Sequence, residues 1–436
     1  MWIGVDDTDA RNGGCTTYVA FHLIDRLIAN GFSVIGYPRL VRLNPNIPWK
    51  TRGNGAVAVQ MGSGVEPVLK IGVKDNIVLK SGEKKSGFKV DIEKVKGIVC
   101  SLVEEYGMFD EENTNPGIVI SPTQLPESFY WNAIQRMVTV EEVVDRLDEL
   151  DVWYKGYKNR RGLIGASAAI SWKGLEDRTY EIISYRLRSR WGTERRISKS
   201  SVKEMDKNCP STFDNYDPVN HHVSIAPNSP CPVLCGIRGD DASSLPSCLE
   251  LIVAEESEGW LIFRSNQATD EHLQVRRIDG IEPYQSVITR GFVAKKPFTI
   301  AGGHVIFSLW DRSGKTIDCA AYEPTKQLRG IIRQLEIGDE VSVFGGVRTK
   351  PLTINIEKIQ VHHMVDVTEK VENPVCPVCG KHMKSKGKDQ GFVCKRCKTF
   401  EKEGILREKH RTLTEGFYET PICARRHLSK PLKRMK

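Results

Sequence analysis

Apolar positions in this chain fall into runs whose period changes several times, and the changes outline its elements. Met1 to Val5 is a short apolar run of strand type. After a turn at Gly13-Gly14, an amphipathic stretch opens at Cys15-Thr16-Thr17 and runs to about Gly31, with Val19, Leu23, Leu27 and Ile28 on one face. Phe32 to Leu43 and Ala56 to Met61 are strand-like, Val90 to Tyr106 is helical, and Gly117 to Ser121 is strand again. The order strand, helix, strand, strand, helix, strand predicts a ferredoxin-like αβ sandwich. Ser128 to Trp153 reads as helical, Gly162 to Trp172 is rich in small residues, and Thr179 to Leu187 alternates like a strand. A further segment starts near Arg196. Residues 285–365 give five alternating or apolar segments, with a helix-like stretch, Thr325 to Leu335, after the third. That is the arrangement of an OB-fold barrel. The pattern as a whole predicts a multidomain α+β chain.

Composition narrows the class without changing the outline. With 436 residues, 40% hydrophobic and 27% charged, the chain has the make-up of a soluble globular protein of two to four domains. It has no apolar run long enough to cross a bilayer and no basic-then-apolar leader, so a cytoplasmic protein without a membrane partner is expected. The net charge of +8 is uneven: Lys381 to Lys436 carries +11 and the remainder −3. Such asymmetry favours a nucleic-acid partner for the tail. Twelve cysteines in a chain of this kind point to metal ligation and free thiols before disulfides.

The most specific metal signal is Cys376-Pro-Val-Cys379 with Cys394-Lys-Arg-Cys397, two Cys-x-x-Cys knuckles separated by fourteen residues. Four thiolates at this spacing surround one structural zinc, as in a zinc ribbon, with no position left for water. Lys381, Lys384, Lys386, Lys388, Lys395, Arg396 and Lys398 decorate it. Cys231 and Cys235 have no second pair at suitable spacing and are not expected to bind zinc. Gly314-Lys315-Thr316 imitates the end of a P-loop, but Leu309 stands where the first glycine belongs, so it is a hairpin turn.

The acidic start of the chain carries the chemistry. In GVDDTDARNGGCTTY, Asp6, Asp7 and Asp9 leave a strand end and face the N-terminus of a helix that begins with Thr16 and Thr17. Free N–H groups and the positive dipole end of a helix suit a phosphate, and adjacent carboxylates suit magnesium. A calcium loop fits poorly, because the fifth position from Asp7 is Arg11 and the twelfth is Tyr18. The loop RLNPNIPWKTRGNG adds Lys50, Thr51, Arg52 and Asn54, either to grip phosphates or as a charged surface loop. Asp214 and Asp217 form a possible second carboxylate cluster, and Arg238 and Arg264 are phosphate candidates; each serves equally well as an ordinary ion-paired residue.

GVDDTD followed by CTTY, RLNPNIPWKTRGNGA, GIRG, WLIFRSNQATDEH, an OB-fold and a terminal zinc ribbon, in this order, resemble the archaeal tRNA(Ile) 2-agmatinylcytidine synthetase family over essentially the whole length. The resemblance implies an ATP-dependent ligase that attaches agmatine to C2 of the wobble cytidine in the CAU anticodon of isoleucine tRNA. The product decodes AUA, and ATP goes to AMP and two phosphates. It implies a kinase-like N-terminal domain that phosphorylates its own threonine, here Thr16, and the cytidine O2. It also places the ATP and Mg2+ carboxylates at Asp6, Asp7 and Asp9. Thr17, Lys50, Arg52 and Asn54 are then the nucleotide-binding candidates, and Asp177, Asp214 and Asp217 the candidates for agmatine's guanidinium. The expected division is 1–195 kinase-like, 196–282 ferredoxin-like αβ, 283–366 OB-fold, and 367–436 zinc ribbon with a phosphate-binding basic tail. The rival reading is a non-catalytic single-stranded nucleic-acid binder built from the OB-fold and ribbon; it leaves the carboxylate-and-threonine start unexplained. The SGGxDS loop of a lysidine synthetase is absent from the sequence.

Overall fold

A computed structural model of the chain describes residues 1–82, 90–387 and 390–435. Lys388 and Lys436 of the basic tail lie outside the described residues. The first part runs β1 (Trp2–Asp6), α1 (Thr16–Ala29), β2 (Ser33–Arg42), β3 (Gly55–Gly62), β4 (Leu69–Lys74), β5 (Ile77–Ser81), α2 (Ile92–Tyr106) and β6 (Gly117–Ser121). It continues with α3 (Ser128–Gln135), α4 (Val140–Glu149), β7 (Trp153–Gly156), α5 (Gly162–Ser171) and β8 (Thr179–Arg186). Then come α6 (Lys199–Asn208), β9 (Thr212–Phe213), β10 (Tyr216–Asp217), β11 (His222–Val223), β12 (Val233–Gly239), α7 (Leu245–Glu250) and β13 (Ser257–Ser265).

β6, β1, β3 and β2 lie side by side in that order, each pair antiparallel. Because side chains alternate across a strand, Ile3, Val5, Val57, Val59, Ile118 and Ile120 face one layer of helices, α1 and α2. Trp2, Ala56, Ala58 and Val119 face a second layer, α3 to α5. β13 joins β2 in parallel, pairing Arg264 with Arg39 and Ser265 with Leu40, so β8, β12 and β9 continue the same sheet. Leu261 and Phe263 of β13 extend the α1 side of the core, while Ile262 packs with Val202 of α6 and Leu245 of α7.

Three features differ from the sequence pattern. The stretch Ser128 to Trp153 is two helices, because Thr139 restarts the second with a reciprocal capping box to Glu142, and Trp153 opens β7. The β4–β5 hairpin has no counterpart in the predicted order. It turns on Asp75 and Asn76, both at positive φ (49° and 65°), and sits half-buried beside β13 with too short an apolar alternation to register. Cys209 and Cys248 are joined in a disulfide where the composition points to free thiols, since α6 and α7 bring them into one core with Cα atoms 6.1 Å apart.

β14 (Leu273–Val275) leads into the barrel: β15 (Ser286–Thr299), β16 (Val305–Trp310), β17 (Thr316–Ala321), α8 (Leu328–Ile332), β18 (Glu340–Arg348) and β19 (Thr353–His363). The order β15-β16-β17-β19-β18 closes by β15–β18 pairing, from Ser286↔Gly346 to Phe292↔Glu340. This is the five-stranded barrel with a helix after its third strand that the pattern predicts. The stem β20 (Thr368–Glu372) and β24 (Ile405–Glu408) carries the ribbon, whose strands are β21 (Lys384–Ser385), β22 (Phe392–Val393) and β23 (Phe400–Glu401). The chain then returns to the barrel, where β25 (Gly416–Glu419) pairs with β19.

The segment after β25 is not a free basic tail. Arg425 pairs with Asp214, Arg426 with Glu357, Lys430 with Asp177, and Arg434 with Asp177 and Asp240. Four of its cations are thus paired with the acidic body rather than left in solvent.

Candidate active site

Asp6 ends β1 on the face that meets α5. The small residues of α5 allow a very close approach: a Cβ built on Gly165 would lie 1.9 Å from Asp6 Oδ2, and one on Gly4 would lie 2.3 Å from the Ala166 carbonyl oxygen. The small-residue stretch therefore seats the Asp6 carboxylate. Gly165→Ala is expected to displace it, costing ~1–3 kcal/mol and lowering product formation by roughly tenfold or more. Melting and turnover of the variant check this.

The chain turns at Asp7, whose φ is +58°, a conformation Asp tolerates better than most residues. Asp7 Oδ2 accepts the Asn115 N–H at 3.1 Å. Asp9 is held from the other side. Thr51 donates to its Oδ1 at 2.8 Å, and Arg52 donates to its Oδ2 from Nε and Nη2 at 2.8 and 2.6 Å. Arg52 also donates to the Gly14 carbonyl at 2.6 Å and to Ser229 Oγ at 3.0 Å. Its fork thus locks the 42–55 loop onto the acidic loop. Lys50 donates to the Pro45 carbonyl, and burial lowers it to about 8 with help from Arg426. Asn54 Nδ2 donates to the Asn44 carbonyl at 2.9 Å. At the start of α1, the Thr8 hydroxyl donates to Thr16 Oγ1 at 3.1 Å, and Cys15 Sγ lies 3.0 Å from Thr17 Oγ1.

Burial raises Asp6 well above the carboxylate range, with Asp7 adding to it. Burial, then Asp9, push Asp7 from 3.8 up to about 6, while Arg161 and the Asn115 N–H pull the other way. Folding therefore tightens the Asp7 proton. The stability this contributes is present near pH 4 and lost as pH rises through about 6. Without bound cation, Asp7→Asn is expected to melt above the parent protein at pH 7.5 by a few degrees. The gap, at most ~3 kcal/mol, should shrink towards pH 5 in a thermal melt series.

Two adjoining cavities open here. One of about 80 Å³ is lined by Asp6, Asp7 and Asp9 with Trp49, Lys50 and Arg161. One of about 410 Å³ is lined by Asp9, Thr16, Thr17 and Arg52 with Glu181, Asp214, Arg238 and His427. Asp9, Asn54 and Gly55 belong to both, so the carboxylates and the two threonines meet across one ridge.

The other sequence candidates divide. Asp214 lines the larger cavity but is paired with Arg425, and Arg238 lies 3.4 Å from Glu181 Oε1 and donates to His427 Nδ1 at 2.7 Å. Asp177, Asp217 and Arg264 line neither cavity. Asp177 binds Lys430 and Arg434, both at 2.8 Å. Asp217 accepts N–H groups of Val219, Asn220 and Cys423. Arg264 donates to the carbonyls of Lys173 and Gly174 at 2.8 and 2.6 Å. Sequence reasoning missed Thr8, Arg42, Asn115, Arg161, Glu181, Arg425 and His427. Thr8 and Arg42 sit inside the two quoted motifs, where a lone hydroxyl or arginine has no spacing of its own to mark it; the others reach the site from distant segments.

In the ribbon, one sulfur from each of Cys376, Cys379, Cys394 and Cys397 lies within 4.8 Å of the others. Tetrahedral zinc thiolates need sulfurs ~3.8 Å apart, so the set fits. The apolar core around it consists of Cys376, Met383, Phe392 and Cys394, too small to fold such a segment without metal.

Family models match in three places: the TiaS TCKD domain over residues 2–159, the TiaS FLD domain over 160–272, and the TiaS C-terminal zinc ribbon domain over 373–413. The chain is 44% identical to the isoleucine-tRNA 2-agmatinylcytidine synthetase TiaS of Methanocaldococcus jannaschii, over 99% of this chain and 98% of that one. The chain belongs to the TiaS family. The TiaS of Archaeoglobus fulgidus is 40% identical over 100% of this chain and 97% of its own. Among solved structures, a complex of TiaS with its isoleucine tRNA and ATP matches with TM-score 0.86 at 39% identity, covering 100% of this chain and 97% of that one. A complex of TiaS with the same tRNA, AMPCPP and agmatine matches at 0.83 and 37%, with the same coverage. A zinc-ribbon-deleted TiaS in complex with agmatine matches at 0.74 and 33%, covering 100% and 98%. No helix among the described residues is long and apolar enough to cross a membrane.

Proposed function

We propose that the chain ligates agmatine to C2 of the wobble cytidine in the CAU anticodon of isoleucine tRNA, driven by ATP. The observation that carries this reading is the ridge at Asp9, where the carboxylate cavity and the Thr16 cavity join. A cytidine carbonyl oxygen is a poor leaving group, and its phosphate ester is a good one. The C2–N bond then forms as the C2–O bond breaks, its electron pair leaving with phosphate, and the amine gives up a proton.

In this reading residues 1–195, with β6-β1-β3-β2 in the order of a ferredoxin-like unit, act as the kinase. Asp6, Asp7 and Asp9 hold the magnesium and triphosphate end of ATP in the smaller cavity. Magnesium bound there supplies charge neutralisation to phosphoryl transfer, which depends chiefly on placement and electrostatics. Thr16 accepts one phosphoryl group of ATP at Oγ1, which water releases as phosphate, and the cytidine O2 accepts the other, so that AMP remains; Thr8 steadies the threonine oxygen. Lys50, Asn54 and Thr17 flank the path between the cavities, while Arg52 keeps Asp9 oriented rather than gripping phosphate itself. Residues 196–282 supply the far wall. The barrel, 283–366, and the ribbon within 367–436 hold the tRNA, whose target base must leave its stack to enter the larger cavity. A binding protein alone would have no use for three crowded carboxylates beside a threonine.

Mass spectrometry of isoleucine tRNA after incubation with ATP, agmatine and the protein tests the reading. One cytidine gains agmatine less water, and AMP accumulates in step; unmodified tRNA would refute it.

A further inference from the structure

His427 reaches the larger cavity from the C-terminal segment and is fixed there. Its carbonyl accepts the Ala268 N–H at 2.8 Å, the Leu428 carbonyl accepts the Asp270 N–H at 2.9 Å, and Leu428 is buried in the α3–α5 core. Arg238 donates to His427 Nδ1 at 2.7 Å. An arginine has no acceptor atom, so Nδ1 is unprotonated and the ring carries its hydrogen on Nε2. The positive charges of Arg42, then burial, then Arg238 and Lys50 hold the ring neutral, well below the usual histidine range.

Nε2 and Arg42 Nη1 converge on one spot. A Cβ built on Gly53 would meet Arg42 Nη1 at 2.8 Å and His427 Nε2 at 3.4 Å. Gly53 lies between Arg52, which holds Asp9, and Asn54 of the shared ridge. The guanidiniums there are under-compensated. Glu181 is 4.0 Å from Arg42 and 3.4 Å from Arg238, serves both, and also accepts from Gln267 at 2.5 Å. The buried Nε of Arg42 has no hydrogen-bond partner, that of Arg238 has only the Glu181 carboxylate 3.4 Å away in poor geometry, and Asp214 is occupied by Arg425. Buried donors left over in a cavity call for an anion.

We propose that Arg42, Arg238 and His427 form a phosphate subsite on the wall of the larger cavity, separate from the carboxylate cluster. It takes the phosphoryl group carried by Thr16 or by the cytidine oxygen, and then the inorganic phosphate released by the amine. This assignment of the group's origin rests on the function proposed above; the subsite itself does not. Guanidinium forks and a neutral imidazole N–H suit a dianion, and His427 cannot act as the base for agmatine, because its only lone pair is taken by Arg238.

The test uses the full-length protein and inorganic phosphate as probe. Calorimetry is expected to show phosphate binding weakened tenfold or more in His427→Ala, and largely recovered in His427→Gln, whose amide N–H replaces Nε2–H. In turnover, His427→Ala should raise the phosphate inhibition constant by the same factor and lower kcat while KM for ATP stays constant. Equal phosphate affinity in parent and His427→Ala, or a wild type that binds no phosphate, overturns the subsite. A KM for ATP that rises in parallel also overturns it, as a general collapse of the cavity. If His427→Ala does not fold, Arg42→Gln gives the same comparison. A wild type that binds phosphate yet modifies no tRNA would refute the proposed function and leave the subsite standing.

Discussion

Thr16→Val is expected to yield no agmatine-bearing tRNA, with the rate down roughly 10³-fold or more, as when a group that forms a covalent intermediate is removed. Valine keeps the β-branched shape at the first turn of α1 and removes only the hydroxyl. Thr16 is 5% exposed, so the oxygen reaches the larger cavity but little else. The Thr8 hydroxyl loses its 3.1 Å acceptor, a loss of ~1 kcal/mol that leaves the protein folded. Thr16→Ser, which restores the oxygen, should recover much of the activity and remain a phosphate acceptor. Intact-mass measurement with ATP alone should find one added phosphoryl group on the parent and the serine variant and none on valine. Full turnover by the valine variant would remove Thr16 from the mechanism while leaving the Asp6, Asp7 and Asp9 cluster to be tested separately.

The second large effect distinguishes the ribbon from the segment that follows it. Lys409 N–H donates to the Val367 carbonyl at 2.7 Å, so the two ends of the ribbon stem lie side by side. Excising residues 368–408 across a short glycine–serine joint is expected to leave the body folded, with ATP consumption intact and tRNA affinity reduced by more than tenfold. Ending the chain at Thr420 is expected to do the opposite kind of damage. It strips Arg425 from Asp214, whose side chain is 8% exposed, and Arg426 from Glu357, which is 4% exposed. Breaking one buried pair of this kind costs ~3–5 kcal/mol. The truncated protein should melt far below the parent and lose ATP consumption as well, because His427 and Arg425 are part of the cavity wall. Thermal melting, ATP turnover and a tRNA gel shift separate the two. A truncated chain with parental ATP turnover would show that the strap is dispensable.

Much of the fold was legible. β1, α1, β6 and β8 follow the predicted runs to within one or two residues, while the five barrel strands and α8 fall inside or within two residues of theirs, β16, β17 and α8 being shorter than the runs by three residues or more at one end or both. A buried face repeats with the period of the element that makes it. The hairpin β4–β5 escaped because an edge strand buries little, although Asp75-Asn76 is a turn signal. α5 escaped as a helix because its residues are chosen for smallness against β1, which erases an amphipathic period. The acidic loop, Thr16 and the four cysteines were legible because their chemistry requires neighbours in sequence.

By itself the sequence determined most of the elements, the four-cysteine set of the ribbon, and the placing of carboxylates and a threonine at one strand–helix junction, all properties of residues within a helical turn or a short loop of one another. Only the tertiary structure decided what each lone charge does. Arg52 donates to the Asp9 carboxylate; Asp177 and Asp214 pair with the C-terminal segment; and a segment that reads as a free basic tail supplies a wall of the cavity. The reason is physical: an ion pair depends on distance and burial, and a partner some 200 residues away, as Arg425 is from Asp214, leaves no period in the chain to be read.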